Sequence, residues 1–277
     1  MINIGRNMKN LILFDMDGTL TKPRKCIVKS MHKMLRYLTT ECKAEIGIVT
    51  GSGMNYVQDQ LWPILNDVVL RTNVHLLPCN GTEFWPAPPK PHLMHEMFSK
   101  ANMKDEVGDH AFKALMKILC RLQSEMVHEH EFPLTGHFVS NRQSTINWCP
   151  IGRNADNIDR EWFVGLDAKH NIRSKYYQQL LKEIAEDSLL DGYIQAKIGG
   201  STSFDIFPTG WDKTYTLNHF DEDMYNIWFI GDKCEEGGND KELYDYLLSS
   251  EAGFAAQTEG PEHTMSILTE HVIPYLE

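Results

Sequence analysis

This sequence has no apolar run approaching the roughly 18 residues that a membrane-spanning helix needs. It also lacks any C-x-x-C spacing: Cys26, Cys42, Cys79, Cys120, Cys149 and Cys234 are scattered. That argues against a structural zinc or a redox pair and fits reduced thiols in the cytoplasm. Basic residues are the minority, 27 against 38 acidic ones, for a net charge of −11. Such an excess weighs against a nucleic-acid surface and would repel any phosphorylated molecule unless cations are gathered locally. Internal repeats and low-complexity tails are missing. The stretch Met1 to Lys9 carries Arg6 and Lys9 but runs on into Asp15 with no small-residue cleavage site, so no export signal is expected. At 277 residues with 42% apolar content, the chain is long enough for two modest domains, each with its own core.

What the chain does contain is Leu11-Ile12-Leu13-Phe14-Asp15-Met16-Asp17-Gly18-Thr19-Leu20-Thr21. The apolar tetrad predicts a buried central strand, Gly18 a close turn of the backbone round a ligand, and Thr19 and Thr21 supply hydroxyl donors. Asp15 and Asp17 then fall at the carboxyl edge of a sheet, where open α/β sheets bind ligands. Two carboxylates there suit phosphoryl transfer. Asp15 attacks phosphorus, Asp17 moves the proton, and a divalent cation screens the gathered charge. An isolated D-x-D-G-T would more often be a surface turn. Behind an apolar strand and completed by Thr-Leu-Thr, it resembles the first motif of the haloacid dehalogenase superfamily of phosphotransferases and phosphatases.

Apolar residues at helical spacing over 27–38 precede a second strand at Glu45 to Val49, which runs into Thr50-Gly51-Ser52-Gly53. Thr50, Gly51 and Ser52 form a candidate phosphate cradle at the start of the next helix. Any strand-to-helix turn tolerates T-G-S, and its weight comes from lying one βα unit after the Asp pair. Four prolines in Pro86-Ala87-Pro88-Pro89-Lys90-Pro91 exclude a helix or central strand and predict an extended insertion near a domain boundary. Beyond it the pattern predicts a long helix from about Val107 to Val127, short strands near 136–140 and 144–148, a polar helical region, and strands near 193–197 and 203–207. The α/β pattern returns with a helix opening at Lys213 and a strand at Ile227 to Ile230. The expected fold is therefore α/β: a Rossmann-like core with a parallel sheet, formed by residues 1–84 and 211–277, and an inserted α+β cap at 85–210.

Gly231-Asp232-Lys233 and Gly237-Gly238-Asn239-Asp240 follow the last of these strands, so Asp232 can reach the same sheet edge as Asp15. Candidate magnesium ligands are Asp15 and Asp232 through their side chains and Asp17 through its backbone carbonyl, all hard oxygens. Asn239 and Asp240 would fix them from behind. A lone G-D is commonly just a helix cap, but capping does not explain three such turns in this order. Lys213 is the candidate cation that neutralises the phosphoryl group and holds Asp15. By itself, a lysine at a helix start is usually solvated. His128-Glu129-His130-Glu131 fits a solvated helix end better than a metal site, because adjacent positions do not converge on one helix face.

Several segments together narrow the family: Asp15 to Arg24, Pro150-Ile151-Gly152-Arg153, Gly199-Gly200-Ser201-Thr202-Ser203-Phe204-Asp205-Ile206-Phe207-Pro208, Gly210-Trp211-Asp212-Lys213, and Gly231 to Asp240. In combination they resemble the eukaryotic-type phosphomannomutases over almost the whole chain. The resemblance implies substrate-phosphate contacts at Arg24 in the core and Arg142, Arg153 and Arg160 in the cap, with sugar or phosphate contacts at Ser203 and Asp205. Read alone, three arginines within 19 residues would more often be surface charges. Their planar guanidinium forks nevertheless suit phosphate.

The resemblance further implies a magnesium-dependent, cytoplasmic isomerase that interconverts mannose 6-phosphate and mannose 1-phosphate and also takes glucose phosphates. An aspartyl-phosphate at Asp15 and a hexose 1,6-bisphosphate, serving as activator and intermediate, would carry the phosphoryl group. Cap closure would keep water from the acyl phosphate. The implied partners are a phosphosugar and a second copy joined through the cap, with neither nucleic acid nor membrane, and the implied role is mannose metabolism toward GDP-mannose. The alternative is a sugar phosphatase of the same superfamily, which would keep Asp15, Asp17, Lys213 and Asp232 without needing the cap arginines. A chain that only binds phosphosugar is disfavoured by the intact Asp15 and Asp17. Two features depart from the family pattern: Val49-Thr50-Gly51-Ser52-Gly53 in place of Gly-Gly-Ser-Asp, and the Pro-rich segment with its continuation to about Asp109.

Overall fold

The structure, a computed structural model, describes residues 8–250 and 253–276. The N-terminal stretch considered for an export signal lies, through residue 7, outside them. The chain opens with β1 (Lys9–Asp15), whose residues Leu11 to Phe14 have no exposed surface. Then follow α1 (Lys29–Thr40), β2 (Glu45–Val49), α2 (Met54–Asn66), α3 (Val68–Arg71), β3 (Val74–Leu77) and the short antiparallel pair β4 (Glu83–Phe84) and β5 (Ser99–Lys100). A second stretch comprises α4 (Met103–Glu129), β6 (Val139–Asn141), β7 (Ile146–Trp148), α5 (Asn157–His170), α6 (Ile172–Glu186), β8 (Ile194–Gly199) and β9 (Ser203–Pro208). The chain returns through a 3-10 helix (Lys213–His219), β10 (Tyr225–Gly231), α7 (Lys241–Ser249), β11 (Gly253–Gln257) and α8 (Pro261–Ile267).

Two compact units result: Met1–Lys100 with Trp211–Glu277, and Ala101–Gly210. In the first, a parallel five-stranded sheet has the order β11-β10-β1-β2-β3. β1 is an unbroken apolar run because it is paired on both edges and covered on both faces. Alternation decides which residue faces which layer. Ile12 and Phe14 pack with Met31, Leu35, Leu61 and Ile64 of α1 and α2, whereas Leu11 and Leu13 pack with Phe220, Leu243 and Leu247 on the side of α7. Strand order runs outward in opposite directions from the neighbours β1 and β10, which makes their carboxyl ends the switch point where ligands bind in such sheets.

Residues 85–100, expected at the front of the inserted cap, fall in the first unit instead. The reason is local bonding. Trp85 forms an antiparallel bridge with Leu76, the Ala87 amide donates to His75 Nδ1 at 3.1 Å, and Arg71 donates to the Pro91 carbonyl at 2.6 Å. Prolines without N–H groups can line a sheet edge in this way, because these bonds use the amides of Trp85 and Ala87 and the Pro91 carbonyl, none of them a proline N–H. The helix expected at Lys213 is a 3-10 helix, capped by Asp212, which accepts from the Thr214 amide at 2.9 Å.

The second unit is an antiparallel sheet of order β6-β7-β9-β8 with α4 and α6 packed on it. Trp148 stacks on Phe204 at 4.6 Å and donates to Gln123 of α4 at 2.6 Å. Buried Leu119, Leu122, Tyr176 and Leu180 line the facing helices. Since Trp148 pairs with Phe204 and Asn147 with Asp205, pleat parity sends Asn147, Ser203 and Asp205 to the opposite face. His128 and Glu129 do end a helix, and Glu129 pairs with Lys175.

At the amino edge of the large sheet, Glu45 accepts from Lys9 at 2.7 Å and from the Tyr225 hydroxyl at 3.0 Å, and faces His75 at 3.2 Å. The bond to His75, with those to Lys9 and Tyr225, holds the Glu45 carboxyl down at about 2. A carboxyl depressed in the folded state stabilises the fold above its ordinary pKa, and that stabilisation is lost as pH falls toward the depressed value. Glu45→Gln is expected to cost about 1 to 2 kcal/mol at pH 7 after allowance for solvent screening, by urea unfolding. Its deficit relative to the unmodified chain should shrink as pH falls from about 5 to 2.

Candidate active site

The carboxyl edge of the first unit's sheet is where β1 delivers Asp15, β10 delivers Asp232 and β2 delivers Thr50. Lys213 has no exposed surface, and its ammonium donates to both Asp15 Oδ1 and Asp240 Oδ1. Asp240 uses its other oxygen to accept from the Lys233 amide at 3.0 Å. Both of its oxygens are thus taken by protein donors, and Asp240 fixes Lys213 and the loop after β10. Two glycines make room for this convergence. A Cβ on Gly18, whose φ is +90°, would lie 2.2 Å from Asp232 Oδ2, and one on Gly231 would lie 2.7 Å from the Asp240 carboxyl carbon.

Asp15, Asp232 and Asp240 each offer an oxygen within 4.8 Å of the others. Burial, reinforced by Asp240 and Asp232, raises the Asp15 carboxyl to about 7 against the opposing pull of Lys213. Burial also raises Asp232. Three carboxylates gather round one buried ammonium, and the oxygens of Asp15 and Asp232 that Lys213 does not take are hard donors. This set fits a divalent cation of the magnesium type.

Asp17 points differently. Its Oδ1 accepts from the Tyr56 hydroxyl at 3.0 Å, the Arg24 amide at 3.2 Å and Gln60 Nε2 at 3.4 Å. Arg24 sits in the left-handed region, φ 60°, with its side chain exposed. Burial and the nearby Asp17 push the Tyr56 phenol up to about 12, so it keeps its proton and acts as a donor. The turn after β2 is closed by the Thr50 hydroxyl, which accepts from the Ser52 amide at 3.1 Å, while the Thr50 carbonyl accepts from the Asn80 amide at 2.8 Å. Asn239 lies in the loop that leads to Asp240.

In the second unit, the polar face of the sheet gathers the three cap arginines. Arg142 pairs with Asp205 at 3.8 Å, Arg153 donates to Asn147 at 3.4 Å, and Arg160 donates to the Thr202 hydroxyl at 3.0 Å and the Ala155 carbonyl at 3.1 Å. Burial, and repulsion from Arg142 and Arg160, lower the Arg153 guanidinium from its ordinary value. Ser203 is buried, and Asp205 accepts from Asn147 at 2.7 Å. Tyr56, Gln60, Asn147 and Thr202 were not expected from the sequence. Tyr56 and Gln60 could have been found from their one-turn spacing just after the Thr50 turn, and Asn147 from strand register.

The family described as eukaryotic phosphomannomutase matches residues 31–273. The chain belongs to that family. It is 32% identical over 272 residues to phosphomannomutase 2 of Dictyostelium discoideum, covering 96% of this chain and 98% of that one. With the phosphomannomutase of Saccharomyces cerevisiae it shares 34% over 264 residues, covering 95% and 94%. Among solved structures, IMP-nucleotidase of Plasmodium falciparum superposes with a TM-score of 0.66 at 13% identity, covering 96% of this chain and 68% of that one, a likeness of fold. These findings agree with the haloacid-dehalogenase-type α/β architecture of the first unit.

Replacing Lys213 by Met should strand Asp15 and Asp240 without their cation, a loss of about 3 to 5 kcal/mol for breaking one partner of a buried ion pair. Urea unfolding of the full chain without divalent metal measures it.

Proposed function

We propose that this chain is a magnesium-dependent phosphomannomutase, an isomerase that interconverts mannose 6-phosphate and mannose 1-phosphate and also accepts glucose phosphates. Such a reaction requires two anion sites, one where phosphorus is transferred and one that holds the sugar's other phosphate. What supports the mutase over a sugar phosphatase is the trio Arg142, Arg153 and Arg160. Among the described residues they carry one acidic partner, Asp205, and otherwise bond to neutral groups, so the cluster has positive charge to spare for a phosphate.

In the proposed cycle the Asp15 carboxylate attacks phosphorus of a hexose 1,6-bisphosphate, and the bond from phosphorus to the sugar oxygen breaks. Asp17 delivers a proton to the departing oxygen. In the reverse half, Asp17 takes the proton of a monophosphate hydroxyl, which attacks the phosphoryl group on Asp15 and regenerates a bisphosphate. Lys213 donates to Asp15 Oδ1 and holds the carboxylate in place for attack. Magnesium, held by Asp15, Asp232 and the Asp17 carbonyl, would supply charge screening at the transferring phosphoryl group. Thr50, Gly51 and Ser52 would cradle that group, and Arg24, Arg142, Arg153, Arg160, Ser203 and Asp205 would hold the remainder of the substrate.

A homodimer through the second unit is part of the same proposal. Ile158 and Trp162 of α5 are 77% and 48% exposed, a large apolar pair for a solvent face. Cys26, Cys42, Cys79, Cys120, Cys149 and Cys234 form no disulfide with one another, which fits a reducing cytoplasm.

Incubation with mannose 1-phosphate, Mg²⁺ and a hexose 1,6-bisphosphate should yield the 6-phosphate. Orthophosphate as sole product would favour the phosphatase. Arg153→Ala should lower mutase turnover at least about tenfold, the equivalent of one charge-assisted contact, while the Mg²⁺-induced rise in melting temperature persists. Asp15→Asn should form no hydroxylamine-labile phosphoenzyme when phosphoryl donor is supplied.

A further inference from the structure

The Asp17 carboxylate is held from one side only. Tyr56 and Gln60 lie one turn apart on α2, so both side chains meet the loop after β1 from the same helix face. Their donors, with the Arg24 amide, all end on Oδ1. No hydrogen bond to Oδ2 is found among the described residues. Gln60 is itself fixed: it is buried, and the Thr21 hydroxyl donates to its Oε1 at 2.9 Å, which turns its amide nitrogen toward Asp17. The loop that carries Asp17 is closed by the Gly18 amide on the Thr21 carbonyl at 2.7 Å, so Thr21, Gln60 and Asp17 form one connected frame.

We propose that Tyr56, supported by Gln60, is a positioning residue that occupies Oδ1 of Asp17 and leaves Oδ2 as the oxygen that carries the proton to and from the substrate. The proposal rests on Asp15 as nucleophile and Asp17 as proton carrier, and does not require that the substrate be a hexose. An oxygen that already accepts three hydrogen bonds is a poor place for a proton. An Asp17 free to rotate would present either oxygen, and only one rotamer can meet the departing group at bonding distance. When the bond from phosphorus to the leaving oxygen breaks, its electron pair goes to that oxygen, which takes the proton from Oδ2. In the second half, Oδ2 receives the proton of the attacking hydroxyl or water as its new bond to phosphorus forms and the bond from phosphorus to Asp15 breaks, its electron pair returning to the Asp15 carboxylate.

The test exploits the fact that leaving groups differ in how much they need that proton. Full-length chain with Mg²⁺ is given 2,4-dinitrophenyl phosphate, whose phenolate leaves unaided, and phenyl phosphate, whose oxygen needs protonation. Phosphorylation of Asp15 is followed by the burst of released phenol. Tyr56→Phe, which keeps the ring, should slow the burst from phenyl phosphate roughly ten- to a hundredfold, the range for losing a hydrogen bond to a charged group. It should change the 2,4-dinitrophenyl phosphate burst less than about twofold, with KM for both nearly unchanged. Gln60→Met, which keeps the buried volume, should shift the two substrates in the same unequal way.

Equal slowing of both substrates would mean that Tyr56 only supports the loop and would overturn the proposal, as would no slowing of either. The mutase itself is judged separately, by whether unmodified chain converts mannose 1-phosphate to the 6-phosphate. Absence of that conversion alongside the unequal bursts would retain the clamp and remove the mutase.

Discussion

One buried ammonium organises the chemistry of the first unit. Lys213 has no contact with solvent, and removing a lysine charge from water is unfavourable by several kcal/mol unless anions replace the lost hydration. Asp15 and Asp240 provide that replacement from opposite ends of the chain. Asp15 lies 198 residues before Lys213 and Asp240 lies 27 after it. The end of β1, the start of the 3-10 helix and the start of α7 are therefore drawn to one point by charge. Once they meet, Asp232 is carried in with them, close enough to Gly18 that no side chain would fit there.

The two units concentrate charge of opposite sign. In the first, carboxylates outnumber their cation; in the second, Arg142, Arg153 and Arg160 sit together on one sheet face, with Asp205 as their acidic neighbour. A chain of net charge −11 that assembles three guanidinium groups on one small sheet is holding like charges together against their repulsion. Phosphate esters suit both environments, as anions for the arginines and, with a divalent cation, as ligands for the aspartates.

Much of this was visible in the residues before any coordinates. The apolar run before Asp15, the paired turns at Asp15 and Asp232 and the parallel sheet follow from periodicity and turn chemistry, which are local properties. Lys213 is legible as a candidate cation for Asp15, and it stands against Asp15 at the start of a helix of the 3-10 type. The direct grip of Asp240 on Lys213 was less legible, because a capping aspartate and a charge-bearing one look alike in sequence. Prolines alone do not tell which unit holds residues 85–100, which belong to the first. Those residues are fastened to β3 by the paired backbone bonds of Trp85 and Leu76 and by the Ala87 amide, which donates to His75, and to α3 by Arg71, which donates to the Pro91 carbonyl. Asn147 and Gln60 were invisible for a related reason: an uncharged amide signals nothing until strand register or a helix face sets it opposite a carboxylate.

Because β1 is paired on one side with β2 and on the other with β10, the middle of the large sheet is completed by residues that follow the second unit in sequence. Asn10 and Asn226, neighbours across it, are 216 positions apart. The second unit, by contrast, is one uninterrupted stretch from Ala101 to Gly210. During synthesis on the ribosome that stretch is complete while β1 still has an open edge, so the arginine-bearing unit can reach its native form first. The nascent β1 must wait for its last partner, and nucleophile and lysine meet only after the second unit has been made.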